Sequence, residues 1–61
     1  MPILRLEMHT GRTLDQKRAF VREVTKAAVE TLACPADSVD VVITEIQRDS
    51  WGKAGTLYSD K

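Results

Sequence analysis

The chain opens Met1-Pro2, and that pair has the most chemistry to offer. Initiator methionine is usually removed when the next residue is small, and proline qualifies, so the mature chain is expected to begin with a free prolyl amine. Such a group is a secondary amine, basic, nucleophilic and fixed in φ by its ring. An ordinary terminal amine titrates at roughly 7.7 to 8.0, and burial or a nearby cation lowers that value. Held in a pocket instead of fraying, it can act as a general base at neutral pH. The plain alternative is that Pro2 only starts a strand, a position where its missing N–H is tolerated.

The remaining reactive side chains are sparse. Cys34 is the only cysteine and His9 the only histidine, which excludes an internal disulfide and any Cys/His set of zinc spacing. Cys34 has no basic neighbour in sequence and reads as an inert loop or core thiol. Nine basic residues balance nine acidic ones, so the chain has no field to recruit nucleic acid or an anionic membrane. No apolar run approaches the roughly 20 residues that span a bilayer, and no signal-peptide pattern opens the chain. A cytoplasmic, reduced protein is expected. With 43% hydrophobic and 30% charged residues over 61 positions, the composition is that of one small globular domain, residues 1–61. Chains near this length bury only about 60% of their unfolded surface. With no disulfide or metal to help, oligomerisation is the stabilising device that remains.

The elements that must position these residues follow from periodicity. Pro2 to Met8 alternates, with Leu4, Leu6 and Met8 on one face and Ile3, Arg5 and Glu7 on the other, which predicts a strand with one face buried. Gly11 supplies the turn that ends it. Thr13 and Gln16 have the spacing of a capping box, and Asp15 adds a favourable charge in the first helical turn. Leu14, Phe20, Val21, Val24, Ala27, Ala28, Thr31 and Leu32 then recur every three or four residues, predicting an amphipathic helix of about five turns with its charges in solvent. Pro35 disfavours helix at Cys34 and ends it. Val39 to Ile46 is rich in β-branched residues and predicts a second strand. Together these give an α+β fold built on a right-handed βαβ unit with parallel strands. Two strands and one helix leave a sheet face and edges open, which a second copy of the chain is expected to meet. The tail, with Trp51-Gly52 and Ala54-Gly55, suits a short β-hairpin, and Trp51 reads as core or interface before ligand wall.

Taken together, Met1-Pro2 opening a strand, Gly11-Arg12 before a capped helix, Val41-Val42-Ile43-Thr44-Glu45, and Trp51-Gly52 with Gly55 resemble the small subunits of the tautomerase superfamily, of the 4-oxalocrotonate tautomerase type. The resemblance runs nearly the full length. It implies a tautomerase/MIF-like fold that pairs into a dimer with a four-stranded sheet, three dimers forming a hexamer. It further implies an isomerase without metal or cofactor, acting on a small unsaturated 2-oxo or dicarboxylic acid. Pro2 would be the general base in a pocket at a subunit boundary, Arg12 would clamp the substrate carboxylate, and Trp51 falls where the family has an aromatic wall. The chemistry agrees, since a guanidinium fork matches a carboxylate bidentately.

Two positions depart from the family pattern. Asp40 stands where the best-known members carry a second arginine, and His9 stands where they carry an apolar pocket residue. The plain expectation is that Asp40 faces solvent or pairs with a cation, and that His9 lies at the surface at the strand end. A sharper expectation is that both belong to the substrate site. A carboxylate near the prolyl amine would raise its pKa, making Pro2 an acid in a hydratase or decarboxylase. The missing arginine also admits a non-catalytic partner subunit of a hetero-oligomer.

Overall fold

The computed structural model describes residues 1–61, and its backbone follows the periodicities of the sequence. Strand β1 is Ile3–His9, helix α1 is Leu14–Leu32 and strand β2 is Asp40–Ile46. Two short strands, β3 (Gly52–Lys53) and β4 (Thr56–Leu57), form the antiparallel tail hairpin. Single 3-10 turns cover Ala36–Ser38, Arg48–Ser50 and Tyr58–Asp60. β1 and β2 pair in parallel, from Ile3 opposite Asp40 to His9 opposite Ile46. The first strand thus begins one residue later than the alternation suggests and includes His9.

Local chemistry sets the boundaries. Gly11 has φ of 121°, a left-handed conformation that lets the chain leave β1 and enter the helix. The capping box then starts α1: the Gln16 N–H donates to Thr13 Oγ1 at 3.1 Å, and the Thr13 N–H donates to Gln16 Oε1 at 2.8 Å. At the other end Ala33 takes a left-handed φ of 54° before Pro35. In the hairpin, Ala54 and Gly55 have φ of 55° and 83°, positive at both central positions as in a type I′ turn.

Leu4, Leu6 and Met8 of β1, with Val41 and Ile43 of β2, make the half-buried face under α1. Val21, Val24 and Ala28 of the helix are buried or half-buried, and Ala28, at 5% exposure, is the sole fully buried residue in the chain. The broad helical stripe is therefore only partly used. Leu14 is 59% exposed and Leu32 62% exposed, and Ala27 and Thr31 also face solvent. Lys17, expected among the solvated charges, instead reaches the sheet, where its ammonium pairs with Glu45. The Cys34 thiol is half-buried, with its sulfur 3.7 Å from the Ala28 carbonyl oxygen.

The molecule is thin. Its principal extents are 43 × 23 × 13 Å and its radius of gyration is 14.7 Å, against about 10.5 Å for a compact chain of this length. Its accessible surface is 4742 Å², while a compact monomer of 6.8 kDa exposes about 3950 Å². Leu14, Leu32, Ile3 and Val42 are among the large apolar side chains left exposed.

Candidate active site

Parallel pairing puts the carboxyl ends of β1 and β2 at one end of the sheet, next to the amino end of α1. His9, Arg12 and Trp51 gather there around a groove of about 520 Å³, with Glu7 and Arg48 also on its wall. Each arrives by a different route. His9 is the last residue of β1, Arg12 follows the Gly11 turn directly before the helix cap, and Trp51 follows the 3-10 turn Arg48–Ser50. Arg12 also borders a second groove of about 360 Å³, whose wall carries Gln16 and Lys17 over Leu6, Met8 and Phe20. It therefore stands where a polar cleft meets an apolar one. Arg12 makes no ion pair within the chain; the three bridges present are Lys17–Glu45, Arg18–Asp15 and Arg22–Glu23.

His9 is not the surface residue that its place at the strand end suggests. Its ring lies 4.1 Å from the Trp51 ring and 4.8 Å from that of Tyr58, centroid to centroid. The Nδ1 atom is buried without a hydrogen-bond partner. The three rings fasten the tail to the end of β1, and within the tail the Tyr58 N–H donates to the Trp51 carbonyl at 2.9 Å. Trp51 is thus both packing residue and groove wall, and the tail hairpin holds it there.

Pro2 and Asp40 are elsewhere. The Asp40 N–H donates to the Pro2 carbonyl at 3.0 Å, so these two are neighbours at the opposite end of the sheet. The seven residues of β1, at about 3.3 Å each, span roughly 20 Å between the end that carries Pro2 and the end from which the chain turns to Arg12. Asp40 is exposed and has no ion pair, so within the chain it faces solvent. Met1 is 89% exposed, and while it is attached the Pro2 nitrogen is a tertiary amide without basicity. Arg48 is a groove residue that the sequence reading did not single out. Its only signal is its position three residues before Trp51, which gains meaning once the ring cluster is seen.

Comparison with known proteins gives a consistent picture. A family model described as tautomerase enzyme matches residues 2–61. A probable tautomerase from Ralstonia nicotianae is 42% identical over 59 residues, covering 97% of this chain and 84% of the relative. A 2-hydroxymuconate tautomerase from Comamonas testosteroni is 38% identical over 55 residues, covering 90% and 87%. Among solved structures, a 4-oxalocrotonate tautomerase homologue superposes with a TM-score of 0.95 at 38% identity, over 100% of this chain and 97% of that one. A heterohexamer 4-oxalocrotonate tautomerase from Chloroflexus aurantiacus superposes at 0.91 with 28% identity, covering 98% and 97%.

Proposed function

The chain belongs to the tautomerase family, and from that membership we propose that it is a cofactor-independent isomerase of small enol or dienol acids, with Pro2 as general base and Arg12 as carboxylate clamp. In this reading the amine of Pro2, freed of Met1, takes the proton of the enol hydroxyl. Electrons move along the conjugated chain, and the prolinium returns a proton to the far carbon. Arg12 holds the carboxylate through its planar fork, while Trp51 and His9 form the wall against which the unsaturated chain lies. The observation that carries the reading is the convergence of Arg12, His9 and Trp51 on one groove, in a chain that matches the family from Pro2 onward.

Because Pro2 and Arg12 lie at opposite ends of β1, the reading requires that the pocket be completed by the Pro2 of another copy. The excess accessible surface and the exposed Ile3, Leu14 and Leu32 support an assembled form, which we take to be a hexamer of three dimers, each with a four-stranded sheet. The test is an ultraviolet assay of dienol-acid ketonisation on protein whose intact mass lacks Met1. Turnover is expected, and its absence in processed, assembled protein would remove the reading.

One observation favours a second reaction. Asp40, unpaired, is hydrogen-bonded through its backbone to Pro2, and a carboxylate beside the prolyl amine stabilises the cation. A cationic Pro2 would act as an acid, with Asp40 activating water for addition to an unsaturated acid, or with Pro2 donating the proton that replaces the CO2 lost in a decarboxylation. Asp40→Asn separates the two: tautomerisation is expected to persist within about threefold, whereas a hydratase would lose its activity. The Chloroflexus heterohexamer supports a variant of either reading in which a different chain supplies part of the pocket.

A further inference from the structure

We propose that Arg48 is a second anion-binding residue of the groove, and that with Arg12 it selects acids bearing two carboxylates over acids bearing one. The inference deepens the tautomerase reading and rests on it only for the name of the reaction. Its basis is the distribution of charge. Lys17, Arg18 and Arg22 are engaged with Glu45, Asp15 and Glu23, whereas Arg12 and Arg48 have no carboxylate partner and line the same groove. The wall offers Glu7 alone against these two guanidiniums, so the cleft keeps a net positive charge. One guanidinium fork satisfies one carboxylate. A second on the same wall leaves a monoanion with an unused cation and gives a dianion a partner for each end.

Arg48 is also held where it can do this. Its 3-10 turn is closed by the Ser50 N–H donating to the Gln47 carbonyl at 2.9 Å, and the next residue after the turn, Trp51, is fixed by its ring contact with His9. The side chain itself is exposed, so its contribution is that of a solvated charge, up to about fivefold in affinity.

The test compares trans,trans-muconate with sorbate, six-carbon dienes that differ by one carboxylate, by titrating the fluorescence of Trp51, the only tryptophan. Wild type is expected to bind muconate about fivefold more tightly than sorbate. Arg48→Gln should reduce that preference to about twofold or less, Arg48→Lys should restore part of it, and Arg12→Gln should weaken both ligands. Equal or absent binding of the two acids by wild type, an undiminished preference in Arg48→Gln, or equal weakening of both acids in that variant would each overturn the proposal. A preference that depends on Arg48 in a protein that does not ketonise dienol acids would leave Arg48 its role and remove the tautomerase reading.

Discussion

The imidazole of His9 and the indole of Trp51 lie 4.1 Å apart, centroid to centroid, with their planes tilted by 30°. Residues 42 positions apart in sequence are thereby brought into one wall, with Tyr58 4.8 Å from the same imidazole. Trp51→Ala removes one of the two tail rings that pack against His9 and leaves only Tyr58 to hold the tail to β1. A loss of about 2 kcal/mol is expected, less than for a fully buried tryptophan, read as a lower urea midpoint. His9→Leu keeps the apolar contact and deletes the unpartnered Nδ1, so it should leave stability unchanged or raise it by up to about 1 kcal/mol.

Arg12 enters the groove from a turn fixed on both sides, by Gly11 with its positive φ and by the Thr13 cap. Its Ala variant should raise KM for an acid substrate by at least about tenfold. Arg12→Lys should recover only part of that loss, because an ammonium provides a point charge without the fork. Steady-state kinetics on the two variants check this, and full recovery by lysine would show that charge alone suffices.

Ile3 is 56% exposed on the sheet face away from α1, beside Arg5 and Glu7 on an otherwise single-layer surface. Sedimentation equilibrium should give a mass several times 6.8 kDa. Ile3→Lys should shift the protein toward smaller species and lower its thermal midpoint, since a cation would have to be buried against the neighbouring copy. A wild-type monomer would contradict the shared pocket.

The parts of the fold that were legible are those set by near neighbours. Thr13 and Gln16 announce the helix start because a capping box is complete within four residues. Leu4, Leu6 and Met8 announce a half-buried strand because the period of two is local. The ring cluster could not be read in this way. Nothing near His9 points to Trp51 or Tyr58, and the contact exists only after the tail has folded back. Arg48 was silent for the same reason, its meaning depending on a groove assembled from distant segments. Leu14 and Leu32 were legible as apolar helix positions, but period alone does not say whether the covering surface belongs to the same chain. In this structure the chain itself covers neither, and both remain exposed.

The most direct test of the central claim is the rate of dienol-acid ketonisation by wild type and by Pro2→Ala, each shown by intact mass to have lost Met1. Replacing the secondary prolyl amine with a less constrained primary amine should lower kcat/KM by about a hundredfold or more, the usual scale of a general base. Rates within about threefold of each other would contradict Pro2 as the base.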